Sequence, residues 1–290
     1  MDNSKTAILK TLLYADIFNY PLTRDEIWNY LISNKKIDRL LFNKNFRNNK
    51  KIKRKDGYYF LSRSLIVLIR KARKIESRKK FKIARKYAKL ISVIPTIKLI
   101  GVSGSLAMDN AVRADDIDFF IICSKNMIWT TRFFIILALL LKGKYRQKND
   151  TDVADKICIN LIVSEDNISL KDKDRNLFTS HEVLQMKPLF QREGMYKKFI
   201  DSNNWTTEFL PNFNSQKVIY KEKNNFKKII NNTLIKLLTI SKIENFAKKI
   251  QKIYMGKSKT SVSDKYLAFY PNDYQDEILK VYKQNLRNMI

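Results

Sequence analysis

The sequence predicts an α+β protein: a mixed sheet with helices, preceded by a small helical module and followed by a helical region. Three observations predict it. Apolar residues repeat at helical spacing through the first 92 residues and again after residue 171. Between these, three short β-type runs (97–103, 115–122 and 156–163) alternate with helical segments. The 290 residues, 44% hydrophobic and 12% aromatic, hold enough apolar material for a packed core and exclude a chain disordered throughout.

The first helix carries Ile8, Leu12, Leu13 and Ile17 on one face and stops at Pro21. Thr23-Arg24-Asp25-Glu26 is a capping box opening a second helix with Ile27, Trp28 and Leu31. Asp38 starts a third, through Leu41, Phe42 and Phe46. Asp56-Gly57, between Lys51–Lys55 and Tyr58–Leu61, supplies the positive φ angles of a tight hairpin. Three helices and a basic hairpin over residues 1–62 read as a winged-helix-like domain. Its alternatives are nucleic-acid contact through the hairpin and a protein-docking module with a solvated Lys face.

Residues 63–95 form a connecting basic helix. Leu65, Leu68, Ile69, Ala72 and Ile75 make its first apolar stripe, and Ala84, Tyr87, Ala88 and Ile91 continue it to Pro95. The formal net charge is +29, and residues 35–98 carry 23 Lys and Arg against Asp38, Asp56 and Glu76. So basic a stretch suits a polyanion, with nucleic acid the expected partner, or else forms a solvated face. The richness in Lys, Asn and Ile also fits AT-rich coding DNA. The longest apolar run, Phe133 to Leu141, is too short to span a bilayer. No membrane partner is expected, and with no secretory signal and two cysteines the expected location is the cytoplasm. A single histidine, His181, disfavours a histidine-rich metal site or a Ser–His–Asp triad; it reads as a packing or hydrogen-bonding residue on a helix, the alternative being that it orients substrate or acts as a base.

Residues 97–103 form a strand, Gly104-Ser105 a tight turn into a short helix over 106–112, and residues 115–122 a second strand. Asn126 caps a helix over 127–141, and a third strand follows at 156–163. Residues i and i+2 of a strand share a face, so Asp116 and Asp118 point the same way, about 7 Å apart. Paired carboxylates repel unless a cation bridges them, and hard oxygen donors suit Mg²⁺ or Mn²⁺. Gly104-Ser105, at a strand end and a helix start, favours a phosphate. A metal site beside a phosphate site is equipment for phosphoryl transfer.

Gly104-Ser105, ten intervening residues and Asp116-Ile117-Asp118 resemble the signature of the DNA polymerase beta-like nucleotidyltransferase superfamily, with the spacing of its minimal members. The string Ser103-Gly104-Ser105-Leu106-Ala107-Met108, with Asn110-Ala111, Trp129 and Arg132 following, resembles a nucleotidyltransferase-domain family with a helical N-terminal extension. The likeness spans residues 97–163. It implies a nucleotidyltransferase core over 96–170 and a helical cover over 171–290, with Phe226, Ile229, Ile230, Leu234, Leu237 and Leu238 on one helical side. It also implies transfer of a nucleoside monophosphate from NTP to an acceptor that the sequence leaves unnamed. Asp116 and Asp118 would be catalytic and hold two Mg²⁺ ions, with Mn²⁺ an alternative; Gly104, Ser105 and Arg132 would bind the nucleotide, an ion pair with Asp115 being the equal alternative for Arg132. The superfamily's third carboxylate is missing: strand parity offers Cys158 and Asn160. Asp155 is the nearest acid, with Asp150, Asp152, Glu165 and Asp166 around it. Either a loop acid such as Asp155 completes the metal site, or Asn160 coordinates as a neutral oxygen, or catalysis is impaired. Two further readings are a catalytically weak regulator binding nucleic acid and an antitoxin-like enzyme modifying a protein or RNA partner.

Overall fold

A computed structural model describes residues 4–47, 49–147, 149–214, 241–255, 261–263, 266–268 and 272–289. The fold is mixed α+β. The N-terminal part runs α1 (Ser4–Asp16), β1 (Leu22–Thr23), α2 (Arg24–Asn29), α3 (Arg39–Arg47), β2 (Lys53–Lys55) and β3 (Tyr58–Phe60). Its three strands form an antiparallel sheet ordered β1-β3-β2. Local chemistry accounts for these elements. Thr23 Oγ1 accepts from the Glu26 amide while the Glu26 carboxylate accepts from the Thr23 amide at 2.8 Å, the expected capping box. Asp38 Oδ1 accepts from the Leu40 amide at 2.7 Å to start α3. Asp56 and Gly57 take φ of 52° and 79°, turning β2 into β3.

The connecting helix α4 spans Leu65–Ile91, as its periodicity predicts, but the stripe expected in its first half is not the buried one. Leu65, Leu68 and Ile75 are exposed, whereas Ile66, Val67, Arg70, Ser77 and Lys80 are buried. Two cations go inside because partners await them. Arg70 reaches Glu26 at 2.6 Å, donates to the Pro21 carbonyl and lies 3.9 Å from the centre of the Tyr20 ring. Lys80, with no exposed surface, donates to the carbonyls of Arg113 (3.0 Å) and Asp115 (2.7 Å) and to Asp155 Oδ1 at 2.8 Å. Apolar periodicity cannot foresee a paired basic residue on the inner face.

The main sheet is built from β4 (Ile97–Val102), β5 (Ile117–Cys123), β6 (Ile157–Ser164), β7 (Lys187–Gln191), β8 (Ser261–Ser263) and β9 (Tyr266–Ala268), ordered β7-β4-β5-β6-β9-β8. Among the pairs of these strands, β5–β6 is the parallel one. The helices are α5 (Gly104–Ala107), α6 (Ile128–Leu140), α7 (Leu177–Gln185), α8 (Met195–Ser202), α9 (Ser241–Met255) and α10 (Asn272–Met289). Helices cover both sheet faces. Ile117, Phe119 and Ile121 pack with Phe81, Ile91, Trp129 and Ala247 from α4, α6 and α9. Phe120 and Ile122 pack with Val183, Phe199, Ile278 and Tyr282 from α7, α8 and α10, and with Tyr14 of α1.

Residues 171–290 are thus not a purely helical cover: β7, β8 and β9 extend the sheet on both sides. Strands of three and five residues carry too little alternation to stand out in sequence. The expected helical stripe from Phe226 to Leu238 lies outside the described residues. The short helix expected over 106–112 is a single turn, α5. Asn126 does not cap α6; it adopts φ 58°, and the Glu244 carboxylate of α9 accepts from the Trp129 and Thr130 amides at 2.9 and 2.8 Å. A carboxylate offsets the positive end of α6 better than an amide side chain. Among the described residues no helix is long and apolar enough to cross a membrane.

Candidate active site

β5 carries Asp118 and, one residue before its first, Asp116. Both open on a cavity of ≈ 550 Å³ whose rim includes Gly104, Ser105 and Glu182. The parallel register sets Cys158 of β6 opposite Asp118. One ligand atom each from Asp116, Asp118 and Cys158 lies within 4.8 Å of the others, a spacing that could hold a metal ion. Asn160 is the extra residue of a bulge, because Phe119 pairs with Ile159 and Phe120 with Leu161. It lines the same cavity.

Gly104 has φ 63°, and a Cβ there would stand 3.1 Å from Asp118 Oδ2. The corner is a glycine because the backbone is left-handed and the carboxylate presses against it. Ser103 donates its amide to the Asp118 carbonyl at 3.1 Å. The buried Ser103 hydroxyl, also on the cavity wall, has no partner among the described residues. Ser105 Oγ donates to Asp115 Oδ2 at 3.0 Å, which ties the corner to the loop before β5.

The charges are not balanced within the cavity. Burial, then the neighbouring Asp116 and Glu182 charges, pushes the Asp118 carboxyl up to about 7. Burial likewise raises Glu182 of α7 to about 7, against the pull of the Gly104 amide. Burial, with Asp118 and Asp116 nearby, raises the Cys158 thiol well above its ordinary value. Arg146 is the compensating cation: its Nη1 lies 2.6 Å from Asp116 Oδ2.

Two expected participants stand elsewhere. Asp155 does not join Asp116 and Asp118, because its carboxylate is held by Lys80. Arg132 does not line this cavity. It is buried between α6 and α9, where it donates to Gln251 Oε1 at 2.6 Å and to the Tyr145 hydroxyl at 3.4 Å. Its suggested pairing with Asp115 is also absent: that carboxylate takes Ser105 and the Val112 amide. Sequence reasoning missed Arg146 and Glu182. Arg146 sits in a polar loop with no pattern to mark it. Glu182 follows the lone histidine, which drew attention to the right helix but the wrong side chain.

The donor set fits a divalent cation in part. Asp116 and Asp118 are hard oxygen donors of the kind Mg²⁺ or Mn²⁺ takes. The thiol in the third position is a poor ligand for such an ion, so these residues suit one hard cation better than two. In comparison with known proteins, no family model and no curated protein matches this chain.

Proposed function

We propose that the protein is a divalent-cation-dependent nucleotidyltransferase that moves a nucleoside monophosphate from an NTP to an acceptor hydroxyl. The supporting observation is the convergence of Asp116, Asp118 and the Gly104-Ser105 corner on one cavity. Two further observations agree with it: strand–turn–strand geometry over 97–123, and a parallel β5–β6 pair that brings a third donor beside Asp118. The order helix, strand, helix, helix, hairpin at the N-terminus supports a winged helix there, whose exposed Lys53, Arg54 and Lys55 suit a phosphate backbone.

In the reaction, the acceptor oxygen bonds to the α-phosphorus as the bond to the β-bridging oxygen breaks. Pyrophosphate leaves with that electron pair, and the hydroxyl proton passes to a base. A bound Mg²⁺ would neutralise phosphate charge and favour the ionised acceptor. Asp116 and Asp118 would hold it, and the Gly104-Ser105 corner would position the phosphates, the Gly104 amide turning to them from Glu182 and the Ser105 hydroxyl from Asp115. Glu182, with a carboxyl near 7, is suited to take the proton at neutral pH. Arg146 would turn from Asp116 to the nucleotide's phosphates.

Incubation with α-labelled NTPs, Mg²⁺ and separate cellular RNA, protein and metabolite fractions tests the reading. Label is expected in one fraction with the native protein and absent with Asp116→Asn. No transfer to any fraction overturns it. Arg146→Ala separates the two roles of the arginine. Removing a cation that competes for Asp116 is expected to tighten Mn²⁺ binding severalfold, while weakening ATP binding by about tenfold for a lost charged hydrogen bond. Calorimetric titration measures both.

A further inference from the structure

A second cavity of ≈ 390 Å³ lies between the N-terminal part, α7 and α10. It meets the first at a shared neck, where Gly104, Ser105, Asp115, Phe178, Glu182 and Tyr274 line both. Asp116, Asp118 and Cys158 line the first cavity alone. A transfer reaction must bring two molecules to one phosphorus atom, and two chambers joined at the phosphate corner provide that.

The second chamber is aromatic. The Tyr14 ring stacks on His181 with centroids 4.5 Å apart and planes at 13°, Tyr30 leans on the same imidazole at 5.8 Å, and Phe178 meets Tyr274 edge-on at 6.0 Å. His181 is 6% exposed. The Gln185 side-chain nitrogen sits 2.8 Å from His181 Nδ1. An amide nitrogen only donates, so Nδ1 accepts and the ring proton is on Nε2. That N–H has no acceptor among the described residues. A buried donor left unpaired is costly, and a small shift of the ring toward the chamber that it lines would let a ligand's acceptor atom remove the cost. Among the described residues the one cation on the chamber wall, Arg73, is held through Nη1 to the Phe18 carbonyl and Asn110, and the carboxylates of Glu182 and Asp115 at the neck disfavour an anionic ligand.

We infer that this chamber binds the acceptor, and that the acceptor is a small uncharged aromatic or heteroaromatic molecule. It carries the hydroxyl to be modified and, on its ring, a hydrogen-bond acceptor such as a keto group. The volume suits one or two fused rings. That the ligand is the acceptor rests on the transfer reaction proposed above; that a ring binds there does not.

The full chain can be tested by saturation-transfer NMR with 4-hydroxyacetophenone, with adenosine as a second probe and cyclohexane-1,4-diol as the aliphatic control. Saturation is expected on 4-hydroxyacetophenone and not on the diol. Val112→Trp, placed on the chamber wall at a half-exposed residue, is expected to fill the space and weaken binding more than about tenfold. His181→Phe keeps a ring on Tyr14 but deletes the N–H, and is expected to weaken binding about three- to tenfold. It carries the test if circular dichroism shows Val112→Trp unfolded. No binding of 4-hydroxyacetophenone, or binding unchanged in both variants, overturns the inference. Adenosine binding more tightly than the phenol and displaced by ATP overturns the acceptor assignment, because the ring is then the nucleotide's base. ATP binding with Mg²⁺, followed by ³¹P NMR, separates the two readings. Ring binding without ATP binding supports the chamber and overturns the transfer reaction. ATP binding without ring binding does the reverse.

Discussion

Asp118→Asn is expected to lose about 10³-fold or more in transfer rate while gaining stability in alkaline buffer. The carboxyl is held up at about 7 by burial and by the Asp116 and Glu182 charges, against 3.8 ordinarily. Between those values the folded protein keeps a proton that the unfolded chain releases. The contribution of Asp118 to native stability therefore declines as pH rises from about 4 to about 7 and is level above that, in addition to the decline that Glu182 causes in both proteins. An asparagine carries no charge and escapes the decline. Unfolding free energies of the two proteins from denaturant curves are expected to agree at pH 4, and to differ at pH 8 by about 1–3 kcal/mol in favour of the variant. Mg²⁺ at pH 8 is expected to restore part of the difference to the native protein and nothing to the variant. Equal free energies at pH 8 would mean that Asp118 is already compensated.

Lys80→Met is expected to cost about 2–3 kcal/mol, chiefly for acceptors that lose a charged hydrogen-bond donor. Methionine fills the space but takes the ammonium donor from the Arg113 carbonyl and the Asp155 carboxylate, and leaves the Asp115 carbonyl only the Asp155 amide at 3.3 Å. The affected loop leads directly into Asp116, so a second effect is expected in the folded fraction: metal binding weakened along with stability. Asp155→Asn alone is expected to cost less, because its carboxylate is partly exposed. The double variant Lys80→Met/Asp155→Asn is expected to be more stable than the sum of the two single losses predicts. Urea unfolding of the four proteins in a double-mutant cycle reads that coupling.

What was readable in the sequence is what neighbouring residues determine among themselves. Thr23 and Glu26 cap a helix three residues apart, Asp56-Gly57 turns a hairpin, and Asp116 and Asp118 share a face by strand parity. Parity even set Cys158 on the side facing the acids. What was not readable depends on distant chain. Arg146 finds Asp116 across a loop, and Glu182 arrives on a helix beyond the third strand. Lys80 turns inward because two carbonyls and Asp155 wait there. Arg132 sat in the right stretch for a phosphate ligand, but α9, more than a hundred residues later, supplies Gln251 and draws it away.

The pairing of β6 with β9 has a consequence for biosynthesis. Val163 lies opposite Tyr266, so during translation one margin of the central sheet waits for about a hundred more residues before its neighbour exists. Until then the backbone donors and acceptors of β6 are open to other chains, and a ribosome-bound intermediate of this protein would be a natural client for a chaperone that shields strand edges.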